Sequence, residues 1–427
     1  MDLEVSKSIL KIVREKLMSK NSIPQIRFQG FDSWWETIKL TDLGISVGGT
    51  AIESEFDPDG KYKVISIGSY SEESKYKDQG IRAIHSKKTE RRILEKDDLT
   101  MILNDKTSTG KIIGRVLLID EDNSYVYNQR TQRICLDKNK YVPDFIFQLL
   151  NADINRNKIV RSAQGNTQIY VNWSDISNLD YLIPDSFDEQ SAIGFLFRTL
   201  DDLLASYKDN LANYQSLKTT MLSKMFPKAG QRVPEIRLNG FEGEWEIRKL
   251  NEVSEVYDGT HQTPNYTESG VKFLSVENIS TLESEKYISE EDFEKDFKVF
   301  PEFGDVLMTR IGSIGIPNIV KTNEKIAFYV SLALLKPKKR TNSLFLKSSI
   351  ESNPFQEELW KKTLHIAFPK KINKNDISQS IIKWPSYEEQ QAIGAYFSNL
   401  DNLINSHQEK ISQLETLKKK LLQDIFI

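Results

Sequence analysis

The chain has 427 residues, with 58 Lys and Arg against 61 Asp and Glu, a formal net charge of −3 and a pI near 6.0. That length predicts two or three domains, each with its own core, and the near-neutral charge means that a surface meeting nucleic acid must concentrate its cations locally. No run of eighteen apolar residues offers a membrane span, and one cysteine with four histidines leaves no disulfide framework or evident zinc site and fits a reducing cytoplasm.

Residues 1–23 read as an amphipathic helix through Val5, Ile9, Ile12 and Leu17, with Lys11, Arg14, Glu15 and Lys16 excluding a signal peptide. A repeat then begins. Pro24-Gln25-Ile26-Arg27-Phe28-Gln29-Gly30-Phe31 recurs 210 positions later as Pro234-Glu235-Ile236-Arg237-Leu238-Asn239-Gly240-Phe241. Trp35-Glu36, Lys39-Leu40 and Gly49-Thr50 recur as Trp245-Glu246, Lys249-Leu250 and Gly259-Thr260. Two alike frames holding unlike inserts suit a protein that acts in one way on two targets.

The first insert, 24–185, reads as mixed α/β, with β-rich runs at 62–67, 116–119 and 133–136 and a short helix at 144–150. Its polar loops carry side chains suited to base edges and phosphates: Lys87, Lys88 and Arg91; Asn104, Lys106, Thr107, Ser108, Thr109 and Lys111; Gln129 and Arg130; and Gln164, Asn166, Thr167 and Gln168. For any one of these, ordinary loop solvation is the simpler account; the enrichment as a set points to DNA. The run ending Gly110-Lys111 is no phosphate loop, because Asp105 and Ile112 stand where Gly and Ser or Thr are needed.

Ser186-x-x-Glu189 is a capping-box signature, and Leu200, Leu204, Tyr207, Leu211, Tyr214, Leu217, Met221 and Met225 follow at coiled-coil spacing until Pro227 and Gly230 end the helix. The second insert, 234–385, has β-rich runs at 273–276, 306–309 and 327–335 and a helix after Ser343. Its candidate readers are Thr260, His261, Gln262, Thr263, Asn265, Tyr266, Arg310, Ser313, His365, Lys370 and Lys371, with a further basic cluster at Lys336 and 338–340. Asn172-x-x-Asp175-Ile176-Ser177 matches Asn373-x-x-Asp376-Ile377-Ser378, so the unlike loops 164–168 and 365–369 correspond. Ser386-x-x-Glu389 opens a second long helix with its seam at Leu400, Ile404, His407, Ile411, Leu414, Leu417, Leu421 and Ile425; His407 reads as packing. Chain order makes antiparallel pairing of the two helices the shortest arrangement. Lys218, Lys418 and Lys419 flank the seam as candidate subunit contacts.

Catalytic motifs fail. Gly312-Ser313-Ile314-Gly315 lacks dinucleotide spacing, and Asn353-Pro354-Phe355 lacks the second proline of an amino-methyltransferase motif. No catalytic, cofactor or metal residue is therefore expected.

The ordered frame Pro-x-Ile-Arg-x-x-Gly-Phe, Trp-Glu, Lys-Leu, Gly-Thr, then Glu-Gln, Ile-Gly, Leu-Asp and a Lys-rich helix resembles the specificity subunits of type I restriction–modification systems over residues 24–427. The resemblance implies an α+β fold: two mixed α/β target recognition domains (24–185 and 234–385) separated by two long antiparallel coiled-coil helices (186–227 and 386–427), with a linker at 228–233 and a pseudo-two-fold repeat. It implies that each domain reads half of a bipartite, asymmetric site in double-stranded DNA. Two methyltransferase subunits would bring S-adenosylmethionine for adenine N6 methylation, and restriction subunits would bring ATP- and Mg-dependent cleavage in cytoplasmic phage defence. A two-headed protein-binding adaptor is the alternative, distinguished by the absence of salt-dependent DNA binding; a degenerate methyltransferase would require S-adenosylmethionine binding.

Overall fold

In both halves of the repeat, the segments that recur in sequence pair with each other in space. Trp35–Lys39 pairs antiparallel with Asp180–Pro184, and Glu246–Lys249 pairs antiparallel with Ile381–Trp384, so each insert is clasped where it begins and ends. The computed structural model describes residues 24–426; the expected helix at 1–23 lies outside them. The chain forms two compact units, residues 24–207 with 410–426 and residues 208–409. The sequence reading gave each long helix a segment of its own. The units instead divide each helix, because its two ends bury side chains in different cores.

Each unit is built on a four-stranded antiparallel sheet of one topology. The lateral order is Gly44–Gly48, Thr131–Leu136, Leu99–Ile102, Val116–Leu118 in the first unit and Ser254–Asp258, Leu332–Pro337, Val306–Thr309, Pro317–Ile319 in the second. A three-stranded sheet accompanies it, with Tyr62–Ile65 parallel to Tyr125–Tyr127 and Val271–Leu274 parallel to Ile326–Phe328. Side chains alternate along a strand. Val306 and Met308 thus join the core beneath the helices while Leu307 joins the core shared with the smaller sheet. Both faces are covered, which is why these strands are continuously apolar. The β-rich run expected at 327–335 is two strands, Ile326–Phe328 and Leu332–Pro337, because the chain changes sheets at Tyr329–Ser331.

The long helices are Phe187–Lys224 and Tyr387–Ile425, of 38 and 39 residues, each about 57 Å long at 1.5 Å per residue. Half of each capping box forms: the Glu189 N–H donates to Ser186 Oγ at 3.3 Å and the Glu389 N–H to Ser386 Oγ at 3.2 Å. The glutamate carboxylates, both buried, instead receive Arg27 and Arg237 in bidentate pairs at 2.6–2.8 Å. The adjacent glutamines are also structural, since Gln190 Oε1 accepts from the Val142 N–H and Gln390 Oε1 from the Asn342 N–H, both at 3.1 Å. In the repeated Ile-Gly pair, a Cβ on Gly194 or Gly394 would lie 2.9 or 2.8 Å from the backbone nitrogen of Phe145 or Phe345. Glycine is required by that close approach.

Within each unit the helix segments run antiparallel. In the first, Phe197 stacks on Phe426 while Asp201 meets Lys418 at 2.6 Å; in the second, Phe397 packs on Phe226 while Asp401 meets Lys218 at 2.7 Å. Leu200, Leu204 and Leu400 are buried, and Leu211, Ile404, Ile411 and Leu414 half-buried. His407 packs edge-on against Tyr214 with centroids 5.2 Å apart, in keeping with its reading as a packing residue. Leu217 and Leu417 depart from expectation, being 37% and 36% exposed. The helical period carries the seam from Tyr214 four residues on, to Lys218, rather than three. Lys218 and Lys418 are accordingly not free to greet a partner: their ammonium groups are consumed by Asp401 with Glu351 and by Asp201. Lys419 is exposed.

Burial opposes ionisation of Asp401, yet Lys347 and Lys218 outweigh it and hold its carboxyl below the usual range. A carboxylate depressed in the folded state contributes stability that is complete above its unfolded value, about 3.9, and is lost as pH falls through the folded value. Asp401→Asn should therefore cost roughly 1–3 kcal/mol at neutral pH. In urea unfolding its gap from wild type should be constant above about pH 5 and shrink below about pH 4; a gap unchanged down to about pH 2 would exclude this linkage.

Candidate nucleic-acid interface

At one end of the first unit's main sheet, where Gly44–Gly48 and Leu99–Ile102 finish and Thr131–Leu136 begins, four segments lie side by side. Thr50 bridges to Asn128, the Leu103 N–H donates to the Arg130 carbonyl at 2.9 Å, and the Val171 N–H donates to the Leu103 carbonyl at 2.9 Å. Asn104 then pairs with Tyr170. The second unit repeats the order. The Val330 N–H donates to Thr260 O at 2.9 Å, the Arg310 N–H to Ser331 O at 2.9 Å, the Ile372 N–H to Arg310 O at 3.0 Å and the Gly312 N–H to Lys370 O at 2.8 Å. The result is a ridge of loops along one sheet end in each unit, held by equivalent backbone bonds and carrying different side chains.

The first ridge gathers loops far apart in sequence: Asn104, Lys106, Thr107, Ser108, Thr109 and Lys111 beside Gln164, Asn166, Thr167 and Gln168, with Gln129 and Arg130 adjacent. Lys106, Ser108, Arg130, Asn166, Thr167 and Gln168 are exposed. Others are partly spent on internal order. The buried Asp105 carboxylate accepts from Thr107 Oγ1 at 2.9 Å and from the Ile112 N–H at 3.0 Å, shaping the 105–112 loop. Gln129 Nε2 donates to Glu53 at 3.3 Å and Lys111 pairs with Glu72 at 3.0 Å. The basic cluster of Lys87, Lys88 and Arg91 reaches the ridge through its neighbours, with Lys88 donating to Ser54 at 2.9 Å and Arg92 to Thr50 at 3.3 Å.

The second ridge brings Thr260, His261, Gln262 and Thr263 together with Ser313, His365, Lys370 and Lys371. One expected reader falls away. Arg310 is buried, its guanidinium paired with Asp258 and donating from Nε to Ile372 O at 3.1 Å, so it is a strut joining three ridge segments. Tyr266, on the loop that also carries Asn265, packs edge-on against Phe273 of the smaller sheet, centroids 5.7 Å apart, and remains 47% exposed. The basic cluster at Lys336 and 338–340 sits at the opposite end of the main sheet, where Ser254 pairs with Pro337, and Lys336 is held by Glu302 and Asp305. The sequence marks the loop 365–369 as a place where the two readers differ but does not name Ile366 and Phe368 as contact residues, nor the neighbouring Trp360; all three are exposed. For Ile366 and Phe368 the signal was bulky apolar residues in a loop without helix or strand periodicity, whereas Trp360 lies on the helix Asn353–Lys362.

Among the described residues no group of His, Cys, Asp and Glu is placed to hold a metal, and no helix is long and apolar enough to cross a membrane. Residues 33–213 and 242–416 each match the type I restriction modification DNA specificity domain. The chain belongs to the family of type I restriction–modification specificity subunits. Over 407 residues it is 21% identical to the type I restriction enzyme MjaVIII specificity subunit of Methanocaldococcus jannaschii, covering 91% of each chain. The crystal structure of the type I restriction–modification S subunit from M. genitalium shares its fold, with a TM-score of 0.67 at 16% identity over 95% of this chain and 99% of that one. A chain from a structure of type I restriction–modification complex assembly and conformational transition matches with a TM-score of 0.51 at 17% identity, covering 91% and 96%. Specificity subunits recognise DNA and are non-catalytic; the chemistry resides in partner methyltransferase and restriction subunits.

Proposed function

We propose that each ridge reads one half of a bipartite, asymmetric site in double-stranded DNA, the first through residues 104–111, 128–130 and 164–170 and the second through 260–263, 312–313 and 364–371. The observation that carries this reading is the repetition of one backbone arrangement with two sets of side chains. One scaffold presenting different donors and acceptors is what reading two different half-sites requires. The long helices set the unread gap, and their outward faces, with exposed Leu217, Leu417 and Lys419, dock two methyltransferase subunits. Those subunits supply S-adenosylmethionine and flip an adenine for N6 methylation; restriction subunits supply ATP- and Mg-dependent cleavage in the cytoplasm. This chain binds no cofactor of its own.

Phosphate contacts release counterions, so the reading is tested by salt. In the assembled methyltransferase, log K for a cognate duplex should fall linearly with log salt, and replacing both Lys370 and Lys371 by Ala should flatten the slope by about 2. A wild-type complex without any slope would instead mark a two-headed protein adaptor.

A further inference from the structure

The two ridges differ most where they correspond best. In the first unit, Gln164 and Tyr170 close a hairpin by reciprocal backbone bonds of 2.8 and 2.9 Å, and its tip is Gly165-Asn166-Thr167-Gln168, all polar or small. In the second, Leu364 and Lys371 close the equivalent loop, with the Leu364 N–H donating to Lys371 O at 2.8 Å, and Gly312 fastens it to the ridge. Its tip carries Ile366 and Phe368, which are 100% and 104% exposed. Apolar side chains fully in water forgo all burial, and such placement marks a binding surface. The loop's base is ordered, since His365 Nε2 donates to the Trp360 carbonyl at 2.9 Å and its ring lies 4.6 Å from the Trp360 ring.

Charge identifies the occupant. Lys370 and Lys371 are exposed immediately after Phe368-Pro369, and residues 359–375 hold five lysines and no acid, of which Lys362 is paired with Glu358 just outside at 3.3 Å. A purely apolar partner surface gains nothing from that field, whereas stacked bases between two phosphate strands fit both the apolar tip and its cationic flanks.

We propose that the 364–371 loop is an apolar wedge that enters a base step of the duplex, Phe368 and Ile366 between bases and Lys370 and Lys371 on the phosphates. The first unit's hairpin reads by hydrogen bonds, so the chain uses two modes of recognition. This inference rests on the ridges being DNA interfaces. A step opened by a wedge costs least at pyrimidine–purine sequences, so the second half-site contains one opposite the loop.

The test uses the chain assembled with its methyltransferase subunits and a duplex of the mapped site carrying 2-aminopurine at successive positions other than the methylated adenine. Wild type should raise fluorescence at one step of the second half-site. The Ile366→Ser, Phe368→Ser double variant should abolish that rise and weaken specific binding about ten- to a hundredfold, with the salt slope retained; Phe368→Leu should keep most of the rise. No rise at any position in wild type, or an undiminished rise in the double variant, overturns the wedge while leaving the ridge reading intact. Loss of methyltransferase subunits from the double variant would overturn it in favour of a protein contact. Failure of wild type to bind DNA in a salt-dependent way would defeat the ridge reading itself.

Discussion

Exchange of residues 234–385 for the corresponding segment of another specificity subunit is expected to change one half of the methylated sequence and to leave the other half and the gap unaltered. The boundaries suit exchange because Glu246–Lys249 pairs with Ile381–Trp384, so the clasp of the second unit moves as a whole. Several contacts cross the junction, among them Asn342 N–H to Gln390 Oε1, Lys218 with Glu351, and Phe226 against Trp245 and Phe345, all made by the incoming segment to the retained frame. Arg237 lies inside the exchanged segment and Glu389 outside it, bound at 2.7 and 2.8 Å, so the incoming segment must supply an arginine at this place. Preference for the original second half-site should fall by about 10³ or more, since specific binding exceeds non-specific by that margin, with the new half-site gaining correspondingly. Sequencing of methylated adenines in cells carrying the chimaera and its methyltransferase reads both halves and the gap at once. Changes in both halves, or in neither, would defeat the assignment of one reader to each unit.

The largest effect on stability is expected from Phe426→Ala. Its ring is fully buried, 5.7 Å from Phe145 and 5.9 Å from Phe197 between centroids, in a core shared with Ile193, Leu196, Leu421 and Ile425. Removing it forfeits transfer energy and leaves a cavity that rigid neighbours close only partly, a cost of about 3–5 kcal/mol. Phe226→Ala should do the same to the second unit, where Phe226 lies 5.9 Å from Trp245, Phe345 and Phe397. Hydrogen exchange should show the loss confined to amides of the unit whose core is opened. A cost below about 1 kcal/mol would mean that the helix end is not integral to that core.

The repeat was legible because both copies satisfy the same contacts with the same side chains. Arg27 and Arg237 recur because each neutralises a buried glutamate, and Gly194 and Gly394 because each touches a helix backbone. The phase of the helix seam was less legible, since leucines at 217 and 417 look as apolar as their neighbours while the helical period brings Lys218 and Lys418 inward. Which loops share an edge could not be read at all: Asn104 meets Tyr170 and Arg310 meets Ile372 only through strand register.

By itself the sequence determined the doubled frame, the two long helices, the class of DNA specificity subunit and the segments in which the copies differ. The frame, the helices and the divergent segments follow from local periodicity or from identity between the halves, and the class from the resemblance of the ordered frame to that family. Tertiary structure alone decided that Arg310 braces the ridge, that Lys218 and Lys418 are spent on internal ion pairs, and that Ile366 and Phe368 stand in solvent beside lysines. The physical reason is that burial and pairing depend on partners remote in the chain, whose approach is fixed by sheet register and helix phase rather than by any residue's own chemistry.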